Sequence, residues 1–193
     1  MRVQGGDARG RSIKAPSSKD IRPTSQMVKE AIFDILGDRV KGCSFLDIFA
    51  GFGTVGTEAA SRGAKRVVFA DRSRHAVSTI RKNLEALGLS DRCETIAADA
   101  RKAIAGKIEG QFDVIFADPP YAFDAYDEIT RGIFERGLLA RDGILIVEHY
   151  HKTDIDPSGF EKTRTKKYGQ TALTFMQHDN RKDFNYEDGS LSG

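Results

Sequence analysis

From residue 27 onward, apolar positions alternate between helical spacing and short continuous runs. Met27, Val28, Ala31, Ile32, Ile35 and Leu36 recur at helical intervals, with Thr24 or Ser25 in position to cap and Gly37 to stop the helix. Cys43 to Phe49 reads as a first strand, Thr54 to Arg62 as a helix closed by Gly63, and Arg66 to Ala70 as a second strand. Ser73 to Leu87 sets Ala76, Val77, Ile80, Leu84 and Leu87 on one face and ends at Gly88, a residue suited to the left-handed stop. Cys93 to Ala97 is a third strand, and Ala100 to Ala105 a short helix for which Asp99 is the cap.

The apolar run Phe112 to Ala117 is a fourth strand, halted by Pro119 and Pro120. A helix over Asp124 to Arg136 and a strand over Gly143 to His149 follow. Lys162 to Tyr168 and Thr171 to Gln177, joined by Gly169-Gln170, make a hairpin. Strands alternating with helices imply right-handed crossovers and a mostly parallel α/β sheet. Residues 26–178 are expected to form one domain, preceded by an arm over 1–25 and followed by a polar, disordered tail over 179–193.

Composition narrows the class. With 39% hydrophobic and 30% charged residues and no apolar run near the roughly 20 residues that cross a bilayer, no membrane span is expected. The first residues lack the apolar stretch of a secretory signal, which points to the cytoplasm. Cys43 and Cys93 follow no metal-ligand spacing and read as small, reduced, buried residues. The net charge of +2 is small, yet Arg2, Arg9, Arg11, Lys14, Lys19, Arg22 and Lys29 face only Asp7, Asp20 and Glu30 before the first strand. That imbalance reads as a basic arm, mobile until something acidic orders it. Lys162, Arg164 and Lys166 would share one face of their strand, where edge protection explains them as well as a nucleic acid does. His149 and His151 have no third ligand nearby, so packing or surface placement accounts for them and no metal is required.

Two constellations carry chemistry. Gly51-x-Gly53-x-x-Gly56 between strand and helix, with Asp71 ending the next strand, would serve a nicotinamide dinucleotide or S-adenosylmethionine equally. Three acids favour the second. Asp47 near the end of the first strand needs a cationic or hydrogen-bonding partner, such as the ammonium of a methionine moiety. Asp99 can accept from an adenine amine, and Asp118 has no evident use in hydride transfer. In Asp118-Pro119-Pro120-Tyr121, a carboxylate and the Pro119 carbonyl can each accept one hydrogen of an exocyclic amine, aiming its lone pair at a methyl group. Tyr121 offers a ring on which the extracted base stacks.

The chain resembles the bacterial RsmD-type methyltransferases, which modify N2 of a guanine in 16S ribosomal RNA. The likeness runs from Gly5 to about Gln177 and includes Gly5-Gly6, Arg9-Gly10-Arg11, Pro16, Arg22-Pro23-Thr24, Val28-Lys29-Glu30-Ala31-Ile32-Phe33, Phe49-Ala50-Gly51, Glu58-Ala59, Ser61-Arg62-Gly63-Ala64 and Tyr168-Gly169-Gln170-Thr171. It implies a Rossmann-like class I fold, a seven-stranded sheet with an antiparallel C-terminal hairpin strand. It also implies cofactor contacts from Asp47, Phe49, Ala50, Gly51, Gly53, Asp71, Asp99 and Ala100, catalysis by Asp118 to Tyr121, and RNA contacts from Arg9, Arg11, Arg22 and Thr24. The expected partner is 16S rRNA, presented within an assembled or assembling small subunit. Phe52 departs from the pattern, standing where the family usually has a small residue such as serine. Asp-Pro-Pro-Tyr is shared with adenine-N6 and cytosine-N4 DNA methyltransferases, which remain the nearer alternative. An oxidoreductase and an inactive RNA-binding module are the alternatives of other classes.

Overall fold

The computed structural model describes residues 1–14, 25–120 and 125–179. Among these residues the α-helices are α1 (Gln26–Leu36), α2 (Thr54–Ser61), α3 (Arg74–Leu87), α4 (Ala100–Gly106) and α5 (Tyr126–Glu135). Seven strands are β1 (Ser44–Ile48), β2 (Arg66–Asp71), β3 (Cys93–Ala97), β4 (Phe112–Ala117), β5 (Leu139–Tyr150), β6 (Phe160–Tyr168) and β7 (Thr171–His178). They form one sheet in the order β3-β2-β1-β4-β5-β7-β6. The pairs among β1 to β5 are parallel, whereas β7 runs antiparallel to both β5 and β6.

Side chains alternate between two cores. Phe45, Val114, Phe116, Ile146, Leu173 and Phe175 join residues of α1, α2 and α3 on one face. Leu46, Ile48, Ile115, Ala117, Leu145, Val147 and Met176 join α4 and α5 on the other. Because β1 pairs with both β2 and β4, the chain reverses direction across the sheet at β1, and the carboxyl ends of β1, β2 and β4 open onto one edge. Binding crevices of open α/β sheets form at such an edge.

Local capping follows the expected residues. Ser25 accepts from the Val28 amide, Ser73 from the Ala76 amide and Asp99 from the Arg101 amide, while Gly88 ends α3 in the left-handed conformation. The inward face of α1 is rotated from the one expected. Phe33 and Lys29 are buried there, whereas Met27 is 62% exposed. β5 begins at Leu139, before the expected Gly143, because an irregularity in pairing with β4 lets the strand continue past Asp142 and Gly143.

Residues 1–14 depart most from expectation, since they are folded onto the domain rather than mobile. Val3, Ala8 and Ile13 are buried in the same core as α1, and a bridge pairs Arg2 with Ser12. The reason lies in α2. Glu58, fully buried, accepts from the amides of Gln4 (2.9 Å) and Gly5 (2.7 Å), from Lys29 Nζ (3.0 Å) and from Arg62 Nε (2.9 Å). Burial alone would raise its pKa, but the Gln4 amide, Arg62 and Lys29 outweigh it and hold the carboxyl below its ordinary value. Ser61 donates to the Gly5 carbonyl and accepts from the Ala8 amide. Gly6 makes this docking sterically possible: a Cβ there would stand 1.7 Å from the Ser61 carbonyl oxygen.

The basic stripe on β6 is also rearranged. A register shift between Lys162 and Arg164 pairs Lys162 with Met176 but Arg164 with Phe175, so these two point to opposite faces. Lys162 pairs with Asp154 at 2.8 Å. Among the described residues, no helix is long and apolar enough to cross a membrane.

Candidate active site

The site grows from the ends of four parallel strands. β1 ends one residue after Asp47, which is 2% exposed and whose Oδ2 accepts from the Gly56 amide at 2.9 Å. Desolvation pushes its pKa up to about 8; the Gly56 amide opposes the rise, and the charges of Asp118 and Asp71 add to it. Phe49 follows with φ of 65°, a left-handed conformation uncommon for a bulky residue, and turns the chain abruptly off the sheet. Ala50 returns an amide to the Ala70 carbonyl of β2 at 3.0 Å, and the Gly53 amide closes onto the Ala50 carbonyl at 2.6 Å.

The glycines have distinct duties. Gly53 holds φ of 69° as the residue before α2, and a Cβ there would meet Ile80 at 2.9 Å. A Cβ on Gly56 would fall 2.4 Å from the Phe69 ring, so this glycine permits α2 to lie close against β2. Phe52 is buried at 4% exposure.

Asp71 ends β2 and organises the loop from the other side. Its Oδ2 accepts from the Gly51 amide at 2.8 Å and its Oδ1 from the Ser73 amide at 2.7 Å. This double role escaped the sequence reading, although an Asp two residues ahead of a serine cap is the signature of such a turn. Asp99 is exposed, at the start of α4, and Ala100 behind it is buried. Asp47, Asp71 and Asp99 thus stand at successive strand ends around the glycine loop. A buried acid, a backbone-lined turn and two further carboxylates fit a ligand carrying an ammonium, a ribose and an adenine.

Asp118 follows β4 directly, and its amide reaches the Ile48 carbonyl of β1 at 3.4 Å. Phe116 lies beside Asp47 in the register of the two strands, so Asp118 stands one pleat beyond it on the same face. Pro119 is buried and Pro120 exposed. Tyr121, Arg22 and Thr24 lie outside the described residues.

The remaining candidates divide. Arg9 is exposed. Arg11 donates through Nη1 to the Leu87 carbonyl at 3.0 Å and through Nη2 to the Ala86 carbonyl, which ties residues 1–14 to the C-terminus of α3. His149 is buried and bonded to Thr174 Oγ1 at 2.8 Å, with burial lowering its pKa; His151 lies beyond the end of β5. Burial pushes the thiols of Cys43 and Cys93 up to about 12; Cys43 is buried as expected, whereas Cys93, at the start of β3, is only half-buried. Among the described residues no cluster of three or more His, Cys, Asp or Glu side chains is placed to hold a metal.

A sheet reversing at β1, an acid ending each of β1 and β2, a glycine turn between strand and helix, and an antiparallel final strand define a class I S-adenosylmethionine-dependent methyltransferase. Comparisons with known proteins make this more specific. The family model described as Conserved hypothetical protein 95 matches residues 1–177. The chain is 37% identical over 181 residues to the Putative rRNA methyltransferase YlbH of Bacillus subtilis, covering 92% of this chain and 98% of that protein. It is 29% identical to Ribosomal RNA small subunit methyltransferase D of Escherichia coli, covering 93% and 90% of the two chains. The solved structure of a putative methyltransferase, yhhF, from Escherichia coli superposes with a TM-score of 0.82 at 29% identity, covering 92% of this chain and 97% of the other. The chain belongs to this family, the RsmD-type methyltransferases.

Proposed function

We propose that this enzyme methylates the exocyclic N2 amine of one guanine in 16S rRNA of the small ribosomal subunit. The observation that carries this reading is the placement of Asp118 beside the end of β1, on the face of the sheet that Asp47 occupies. S-adenosylmethionine supplies an electrophilic methyl on a sulfonium. Asp47 would meet the ammonium of the methionine moiety, Phe49, Ala50, Gly51 and Gly53 would line the methionine side, Asp71 would take the ribose hydroxyls, and Asp99 with Ala100 would receive the adenine. Each oxygen of Asp71 keeps a lone pair beyond its amide contact, so holding the loop and holding the ribose are compatible.

The amine of guanine is a poor nucleophile because its lone pair is delocalised into the ring. Asp118 and the Pro119 carbonyl accept its two hydrogens and turn the nitrogen towards tetrahedral geometry. Asp118 accepts the proton released as the N–CH3 bond forms. Pro120 fixes the backbone, and Tyr121 carries the stacked base. Arg9 reaches RNA phosphates together with Arg22 and Thr24. Arg11 contributes mainly by tying residues 1–14 to α3. An assembled or assembling subunit is the substrate because so small an enzyme has little surface with which to present the base.

The test is transfer from labelled S-adenosylmethionine to small subunits lacking the modification, to naked 16S rRNA and to DNA, read by nucleoside mass spectrometry and mapping. N2-methylguanosine at one small-subunit position is expected. Methyladenine or methylcytosine in DNA, with none in RNA, would move the enzyme to the DNA methyltransferases.

A further inference from the structure

Asp-Pro-Pro orients an amine without saying which base carries it, since adenine, cytosine and guanine all present one. The selection must come from a neighbouring group that reads the ring atom beside the amine. In guanine that atom is N1, which carries a hydrogen; in adenine the corresponding N1, and in cytosine N3, carry a lone pair.

β5 lies next to β4, on the side away from β1. Its register pairs Phe116 with Ile146 and Ala117 with Val147, and one further step sets Glu148 beside Asp118, roughly 4.8 Å away across the sheet. The alternation of faces agrees: Val114, Phe116 and Ile146 lie in the α1–α3 core, Ala117 and Val147 in the α4–α5 core. Glu148 therefore points to the face shared by Asp47 and Asp118, and its antiparallel partner is Leu173 of that same core. It is 9% exposed, so the carboxylate lies within the protein edge of the site rather than in bulk water. Glu148 closes the apolar run Ile144 to Val147, and its neighbours on the same face of β5 are Ile146 and Tyr150, so a buried carboxylate stands at the strand end beside Asp118.

We infer that Glu148 is the specificity-determining residue for guanine: its carboxylate accepts the N1 hydrogen of the base whose N2 amine Asp118 holds. The inference rests on the proposed methylation of guanine N2. Adjacent donors on one edge of guanine, N1–H and N2–H, then meet adjacent acceptors on adjacent strands. Adenine or cytosine in the same pose would set a lone pair against a buried carboxylate, which is repulsive.

The experiment uses the full chain with 16S rRNA ligated to carry either guanine or 2-aminopurine at the mapped position and assembled into subunits. 2-Aminopurine keeps the 2-amine but has a lone pair at N1. The wild type should prefer guanine by about 10²-fold or more in kcat/KM. In Glu148→Gln the amide can turn its NH2 towards the 2-aminopurine N1, so the guanine preference should fall about tenfold or more, with S-adenosylmethionine affinity unchanged. Glu148→Asp, which keeps the charge, should retain the preference and serves if the amide variant does not fold. Equal losses on both bases, or lost cofactor binding in step with turnover, would make Glu148 structural and overturn the inference. A wild type that modifies no guanine at all would instead overturn the proposed function beneath it.

Discussion

Asp47 shows how a single burial event sets chemistry. An acid closed off from water, with one backbone amide on its Oδ2, holds its proton up to about pH 8, whereas the unfolded chain releases it near 3.8. Between those values the unfolded state is ionised and the folded state is not, so the protein without cofactor loses stability as pH rises through that window. Asp47→Asn keeps an acceptor for Gly56 and should flatten this part of the melting-temperature profile; an unchanged slope would show that Asp47 is ionised when folded. An ammonium brought to Asp47 favours the carboxylate, so cofactor affinity should climb from pH 6 to pH 8 in the wild type and lose that climb in Asp47→Asn, as calorimetry would register. Gly56 makes a second point at this scale. Gly56→Ala drives a methyl into the Phe69 ring, and thermal melts should show a loss of about 1–3 kcal/mol; a neutral result would mean that α2 can move away from β2 without penalty.

At the scale of elements, the junction of residues 1–14 with α1 and α2 rests on Glu58. Removing the acid leaves Lys29, 1% exposed, without its charge partner. Glu58→Ala should therefore cost about 3–5 kcal/mol and open residues 1–14 to proteolysis, while Asp34→Ala, at an exposed position on α1, should do neither. If residues 1–14 stayed protected in Glu58→Ala, their apolar contacts through Val3, Ala8 and Ile13 would suffice alone. The order of strands and helices was legible because each element carried its period and its stop, as Ser73 and Gly88 do for α3. The docking of residues 1–14 was not. Spacing along one element cannot reveal that Glu58 and Lys29, 29 positions apart, meet in the interior. Nor could it reveal the register shift at Lys162, since one extra residue in a strand leaves the composition unchanged while reversing every later side chain.

For the whole molecule, the edge that carries the candidate site was readable where strand ends announce themselves, as with Asp118 before its prolines and Asp71 after an apolar run. It was unreadable where position depends on pairing, as Glu148 beside Asp118 depends on β5 joining β4. Cationic residues likewise separate only in three dimensions. Arg9 is exposed, whereas Arg11 is bonded to the end of α3. Neutralising Arg9 should reduce the salt dependence of RNA binding by about one phosphate contact without changing thermal stability, and Arg11→Gln should lower thermal stability. An unchanged salt slope for Arg9→Gln would remove it from the RNA surface.

The central claim is that Asp118 touches the acceptor amine and not the methyl donor. The most direct measurement compares Asp118→Ala with the wild type in single-turnover methylation of small subunits, alongside calorimetric binding of S-adenosylmethionine. The account predicts turnover lower by about 10²-fold or more with cofactor affinity nearly intact; parallel loss of both would place Asp118 on the cofactor and contradict it.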